Sequence, residues 1–456
     1  MVDGKSEGDK GMTMNRSCWA SWRRWAVMAC LALACAWAGG MGMAQTAGVT
    51  PEDALRLGQE WEAKLLRGDY GAVTGRMEWI RMAGRALVGV PGTPQAKAAF
   101  VQALATNAAA AHDRRLRSYS SFRLLGVART NDMGGVVLRS LLPDGGVDFL
   151  RYRLERDRSA LVVGDLYVLS NGEWFSESAR RAYILAEARK GVVWTTGVKP
   201  VETELMRAVG VLDRALGLAQ KGLAKEVLEV CQGLPVVVQA DRSVLLMRLS
   251  AALAADPAQF QSLSAEWPRL HPWDPGLDLL TFERLAREGK HGASAAALRR
   301  IEAFVGGDPH LHALAGAELA LAGQPDEGRR MVEESVAVEP SLATGYDAAI
   351  GIELHFKRHA EVAQWLNRAA DHLAADPKEV VRTQPQYEAF RSSPEGIRWL
   401  DSEPDAKVVG GVRKVGAKPP PAIRSDPTLP EPPPDFGRPS ASTNKPMRAP
   451  KGPNPR

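Results

Sequence analysis

The spacing of hydrophobic positions changes character twice along the chain. Thr50-Pro51-Glu52-Asp53 opens the first regular stretch with a capping hydroxyl, a proline in the first turn and two acids at the positive end of the helix dipole. Ala54, Leu57, Trp61 and Leu65 then recur at helical spacing, and Gly68-Asp69 ends the helix. A second helix is expected over residues 72–87. The "PGTP" at residues 91–94 breaks it and starts a third, through Phe100 and Leu104 to Ala111.

After His112 the period shortens. "YSSFRLLGVA", "GVVLRSLL", "VDFLRYRLE" and "ALVVGDLYVLS" are rich in Val, Leu, Tyr and Phe and are parted by "TNDMG", "PDGG" and "DRS". Such runs between Gly, Asp and Asn predict an antiparallel meander. Three helices before it and one over residues 176–189 make an α+β domain, residues 45–195, with helices packed on a curved antiparallel sheet. Period two puts Leu161, Val163, Asp165, Tyr167 and Leu169 on one face of the last long strand, opposite Val162, Leu166 and Val168. Both faces are apolar, which predicts a central strand with Asp165 partly buried. Asn171-Gly172 is expected to make the following turn and Ser176 to cap the next helix, with Glu177 in its first turn.

From Glu202 the pattern is helical again, and residues 202–400 are expected to be all-α. Prolines at 235, 272, 309, 340 and 377 recur at intervals of 37, 37, 31 and 37 residues. Each interval accommodates two helices and a turn, as at "EGKHG" (residues 288–292) and "AGQP" (residues 322–325), which is the rhythm of an α-solenoid. Within residues 309–340, Gly316 is the small residue midway along the first helix and Gly323 sits at the turn. Gly328 and Ser335 are the small positions of the second helix, Val332 the bulky one between them, and Pro340 the terminator. This unit resembles a tetratricopeptide repeat (TPR). It departs from that family at His312, where tryptophan is favoured, and at Leu319, where tyrosine is. In the preceding unit Ala297 and Ile301 match, and Phe304 stands where a small residue is expected. The resemblance spans residues 205–373 and implies a surface that binds a protein or peptide partner. "PQYEAFRSSPEGIRWL", with Tyr387, Phe390, Ile397 and Trp399, is read as a closing cap.

Composition changes the picture at the two ends. Arg16, Arg23 and Arg24 precede the apolar run "WAVMACLALACAWAGG", and "GMA" follows at residues 42–44. Residues 1–44 are therefore expected to be a signal peptide, with translation beginning at Met1, Met12 or Met14. The alternative is a membrane anchor left uncleaved, although the run is short for a span. The twin-arginine pattern around Arg23-Arg24 is incomplete, and neither Cys30 nor Cys35 has the leucine of a lipoprotein signal. Cys18, Cys30 and Cys35 fall within this segment, so a mature chain keeps Cys231 alone and forms no internal disulfide; Cys231 reads as a small buried residue. Residues 406–456 are Pro-rich and basic with few bulky apolar groups, a composition expected to stay disordered. That tail also explains the pI of about 9.0. It holds ten of the 58 Lys and Arg and the segment before Gln45 holds five, against three and three of the 53 acids, which leaves 43 basic and 47 acidic residues between. A broad nucleic-acid surface is not expected on the folded part.

Chemical motifs are sparse. The single G-x-S-x-G, at residues 4–8, precedes the signal and lacks the strand and helix of a nucleophile elbow. No phosphate-binding loop, dinucleotide fingerprint or H-E-x-x-H occurs, and no cofactor is implied. His355 and His359 share a helix face, but a metal site needs a third ligand, and neither Glu353 nor Glu361 is singled out by spacing. His310 and His312 open a helix, with His312 read as packing. The candidate ligand pocket is Asp165, Leu166, Tyr167 and Trp174. Helices leading into a curved sheet with an aspartate on its last strand resemble the nuclear transport factor 2-like, or cystatin-like, cone fold. Exported phospholipid carriers of that kind place an aspartate, a glycine turn, a serine and an arginine-bearing helix in the order of Asp165, Gly172, Ser176 and Arg180 or Arg181 here. This resemblance implies a cavity for a lipid or small apolar ligand. The leading expectation remains an exported, periplasmic or extracellular, non-enzymatic scaffold that binds a protein or peptide through its helices. A carrier for an apolar ligand is the alternative, and an enzyme using Asp165 as a general base is the third.

Overall fold

The computed structural model describes residues 48–130, 133–143, 145–272, 274–373 and 377–402. The expected signal (1–44) and tail (406–456) lie outside them. The first helix, α1 (Pro51–Leu65), forms as its sequence dictates: Thr50 Oγ1 accepts the Asp53 N–H at 3.1 Å, and Leu57, Trp61 and Leu65 are buried along one face. The expected single helix over 72–87 is two pieces, α2 (Gly71–Thr74) and α3 (Trp79–Ala86). Between them the backbone bonds to a strand instead: Val163 N–H donates to Arg76 O at 2.8 Å, and Glu78 N–H donates to Val163 O at 3.3 Å. Helix α4 (Pro94–Ser118) runs two turns past Ala111, because His112 and Leu116 continue its buried face.

The meander is as expected: β1 (Ser121–Thr130), β2 (Met133–Leu141), β3 (Val147–Asp157), β4 (Ala160–Val168) and the short β5 (Glu173–Trp174) pair antiparallel in chain order. β4 is therefore next to the edge, flanked by β3 and the two residues of β5, and is not the central strand. Gly164 is a bulge. Arg153 pairs with Asp165 and Leu154 with Val163, so Gly164 has no partner and the face alternation flips there. Leu161 and Val163 consequently join Leu166 and Val168 under the helices, while Asp165 and Tyr167 turn to the opposite face. A Cβ at 164 would overlap the Glu155 carboxylate and displace it from its bidentate pair with Arg85. Helix α5 (Phe175–Ala188) follows β5 and packs on α3.

A run of paired helices follows: α6 (Pro200–Arg207), α7 (Val209–Gln220) with α8 (Ala224–Gln232), a turn α9 (Val236–Gln239), α10 (Arg242–Ala255) with α11 (Pro257–Leu270), α12 (Gly276–Arg287) with α13 (His291–Val305), α14 (Pro309–Leu321) with α15 (Pro325–Val338), and α16 (Ala343–His355) with α17 (His359–Leu373). The turns inside the pairs repeat more evenly than the prolines. Gly222, Gly289, Gly323 and Lys357 each occupy a left-handed backbone conformation there, and Asp256 makes the α10–α11 turn, so successive turns lie 34, 33, 34 and 34 residues apart. The prolines do not all close units: Pro309 and Pro377 are the first residues of helices. The chain then folds through α18 (Pro377–Thr383), a 3₁₀ turn (Pro385–Tyr387), α19 (Glu388–Arg391) and α20 (Pro394–Asp401). Tyr387, Phe390 and Trp399 are buried against α16 and α17, as a cap requires, whereas Ile397 is half exposed. No helix of the described residues is long and apolar enough to cross a membrane.

One edge of this array seats on the sheet. Leu298, Ile301, Val305 and Leu311 form one cluster with Val137, Phe149 and Leu169 of the sheet. Arg139 of β2, 2 % exposed, donates from Nη1 to Asp308 Oδ1 (2.7 Å) and from Nη2 to Glu339 Oε1 (2.6 Å), reaching the turns that enter α14 and α16. Arg242 at the start of α10 donates to the Asn171 carbonyl and pairs with Asp274. Two modules are thus joined through a buried ion triad, an arrangement that costs stability if any member is left alone.

Candidate functional site

Asp165 is buried, at 2 % exposure, and its acceptors are in use. Oδ1 accepts its neighbour Leu166 N–H at 3.0 Å and Ser176 N–H at 3.2 Å, and Oδ2 accepts the Ser176 hydroxyl at 2.6 Å. Ser176 therefore does not cap α5. The helix begins one residue earlier, and Glu177 Oε2 accepts the Trp174 N–H at 3.0 Å in its place. Burial raises the Asp165 pKa, and the Ser176 hydrogen bonds and the nearby Arg153 oppose the rise. A carboxylate that accepts three hydrogen bonds pins the β5–α5 corner. Gly172, at φ 63°, makes the expected turn, with the Arg242 guanidinium over the face where a side chain would stand.

Asp148, which the sequence reading did not single out, repeats this device one strand away. It accepts from Phe149 N–H, Ser170 N–H, the Ser170 hydroxyl (2.8 Å) and the Tyr119 hydroxyl (3.0 Å). Each aspartate binds the next residue's N–H and both donors of a serine beyond its strand or a neighbouring one, so the two together fasten the ends of β3 and β4.

Of the four candidate pocket residues, register brings three to one face. Tyr167 lies between Arg151 of β3 and Trp174 of β5, and Asp165 lies opposite Arg153. Leu166 points to the other side, into the core beneath α1–α5. Arg153 stands 4.3 Å from the Trp174 ring centre and Arg151 5.9 Å from it. Phe304 of α13 leans on Tyr167 at 5.8 Å. A cavity of about 10 Å³ is lined by Val137, Phe149, Arg151, Tyr167 and Phe304 among others. That is room for one water, whereas a site for an apolar ligand encloses about 300 Å³ or more. Arg151 and Arg153 were missed in the sequence, although alternate arginines in the apolar "FLRYRLE" are a legible signal.

The repeat-packing residues behave as one unit. Gly316 and Gly328 meet where α14 crosses α15, Val332 and Ser335 are buried beside them, and the Ser335 hydroxyl donates to Pro309 O at 2.6 Å. Gly323 makes the turn at φ 89°, and Pro340, exposed, offers its carbonyl to the Tyr346 hydroxyl at 2.9 Å. His312 is a bridging residue: Nδ1 meets Glu302 Oε1 at 2.9 Å and Nε2 meets Glu334 Oε2 at 3.2 Å. His355 packs on Phe356 and His359 on Phe390, and no group of three metal-ligating side chains converges among the described residues. Cys231 is fully buried and unbonded, and burial raises its thiol pKa.

Asp347 of α16 combines two properties that rarely coincide. Its surface is exposed, and it makes no ion pair or hydrogen bond with the described residues. Even so, the surrounding protein raises its pKa by desolvation. Asp347 is thus an exposed acid with no counter-ion among the described residues. Its charge also reaches Tyr387, whose hydroxyl is pushed up to about 12 by burial and by Asp347.

No protein-family model, curated protein or solved structure matches the chain.

Proposed function

We propose that the protein is an exported, non-enzymatic binding or scaffold protein whose tetratricopeptide-like helical array takes a protein or peptide partner. The observation that carries this reading is Asp347. An exposed carboxylate on the stacked helices, unpaired among the described residues, is open to a cation from outside them, and the cation of a protein partner is a lysine, an arginine or an N-terminal amine. Two further features support a platform role. The 34-residue rhythm stacks the helix pairs, and the edge clamped through Arg139 holds them rigidly on the sheet, so a partner meets a preorganised surface. The space between α1–α5 and the sheet is filled by buried side chains, Trp61, Trp79, Met82, Tyr152 and Leu166 among them, and Asp165 is engaged by Ser176, which favours this reading over an apolar-ligand carrier or an enzyme.

The test uses the mature protein as bait in envelope extract, followed by binding of Lys- and Arg-containing peptides from whatever is captured. Asp347→Lys is expected to weaken capture about tenfold or more, and Asp347→Asn to weaken it less. Equal capture by wild type and Asp347→Lys, or no partner from any extract, would sink the proposal.

A further inference from the structure

Along β3, Arg151 and Arg153 lie two residues apart and so project from the same face, toward the helical array. The acids around them are already committed. Asp165 holds three hydrogen bonds and stands 3.7 Å from Arg153. Glu173 pairs with Arg181 and accepts from Ser178. Asp274 pairs with Arg242. Glu177 closes the start of α5 through the Trp174 N–H.

Arg151 is left over. Among the described residues it makes no hydrogen bond and no ion pair, and its guanidinium stands over the Trp174 ring. The charge of Arg153 acts on it unfavourably. It is half-buried, its stem lies along the wall formed by Val137, Phe149, Tyr167 and Phe304, and desolvation together with Arg153 lowers its pKa. No guanidinium nitrogen of Arg151 is both buried and unbonded, so the head reaches solvent, with the like charge of Arg153 beside it and no acid paired to it among the described residues. Arg151 has its five donors free at the mouth of a recess with an aromatic wall.

We propose that Arg151, backed by Arg153 and the Trp174 ring, is the anchor of an anion-binding recess that takes an oxyanion group, a carboxylate or a phosphate, presented at the junction of sheet and helical array. The planar fork of Arg151 suits such a group in a bidentate grip. The cavity behind it admits no more than a water, so the oxyanion is held at the guanidinium outside that cavity and the rest of the ligand remains in solvent. This site is separate from Asp347 and has the opposite charge preference, and it stands whether or not the helical array takes a partner.

The test is calorimetric titration of the full mature chain with inorganic phosphate, with acetate and with a short Glu-rich peptide, at low ionic strength. At least one probe is expected to bind, with phosphate alone pointing to a phosphorylated ligand, and acetate or peptide pointing to an acidic segment. Arg151→Gln should weaken that binding about tenfold or more, Arg151→Lys should keep part of it, and Arg67→Gln, an exposed arginine elsewhere, should leave it unchanged. Thermal melting supplies the second readout. Arg151→Gln should melt no lower than wild type, since it removes an uncompensated charge, whereas loss of a merely structural arginine lowers the melting temperature. The proposal is overturned if no probe binds wild type, if Arg151→Gln binds as tightly as wild type, or if that variant melts well below it.

Discussion

Gly316 and Gly328 face each other across the contact of α14 with α15, so closely that a Cβ on Gly316 would stand 2.7 Å from the Gly328 carbonyl oxygen, and one on Gly328 closer still to the Gly316 oxygen. Backbone meets backbone at this crossing, and neither side can yield as a flexible side chain would. Gly316→Ala or Gly328→Ala is therefore expected to cost about 2–3 kcal/mol, at the upper end of overpacking penalties. Gly217→Ala, in a helix where an added Cβ meets nothing within 4 Å, is expected to gain roughly 0.5–1 kcal/mol from helix propensity. Urea denaturation of the three variants measures the contrast.

The Arg139 triad predicts a different failure. Arg139→Met leaves Asp308 and Glu339 buried without their cation, and removing one partner of a buried ion pair costs about 3–5 kcal/mol. Because the triad spans the junction, the loss should fall on coupling between the modules. Calorimetry is expected to resolve two transitions in the variant where the wild type has one. Restoring neutrality with Asp308→Asn and Glu339→Gln should recover a large part of the loss.

Lys357 holds the left-handed turn position that Gly222, Gly289 and Gly323 hold in the other pairs, with φ 55°. A side chain there costs about 1–2 kcal/mol relative to glycine, offset by glycine's greater freedom in the unfolded chain. Lys357→Gly should raise stability by roughly 0.5–1 kcal/mol, and Gly323→Ala should lower it; thermal melts of both variants decide.

The two histidines of α14 should respond to pH in opposite senses. Burial, with Arg139 nearby, holds His310 at about 3 against an ordinary 6.5, outweighing the pull of Glu339. The folded protein refuses a proton that the unfolded chain accepts, so His310's contribution is fully present above pH 6.5 and is lost as pH falls toward 3, at about 1.4 kcal/mol per pH unit. His112, buried against Tyr152 and also held at about 3, adds a second loss of the same sign. For His312 burial opposes the charge, but Glu302 and Glu334 outweigh it and raise the pKa. Its contribution is present below pH 6.5 and is lost as pH rises through the folded value. Stability measured at pH 4.5, 6 and 8 should show His310→Gln flattening the acid limb, and His312→Gln removing the loss on the alkaline side.

Local signals located most of the elements. The capped start of α1, the strands between Gly and Asp turns, and the small residues of residues 309–340 each act over a few positions, and the fold kept them. The expected helix over 72–87 broke because Arg76 O and Glu78 N–H found partners on Val163, more than 80 residues away in sequence. Ser176 lost its capping role because Asp165, reached across the β4–α5 corner, accepts both of its donors. Leu166 lies opposite Asp165 and Tyr167 by plain strand alternation; what the bulge at Gly164 changed is its company, bringing Leu161 and Val163 to the Leu166 face, and nothing in the apolar run specifies that this glycine will be skipped.

The sequence by itself determined the class of fold: helices, an antiparallel sheet, then paired helices in a repeating rhythm. Those follow from periodicity, turn residues and small residues at close contacts, all of them short-range. Tertiary structure alone decided which polar groups meet. Arg139 acquired two acids from turns some 170 and 200 residues later, while Arg151, a few positions along on the next strand, acquired none. His310 and His312, two residues apart, were pushed to opposite sides of the ordinary histidine pKa. Charge and hydrogen-bond energies depend on what stands within a few ångströms in space, and strand register and helix docking set that distance where sequence spacing does not.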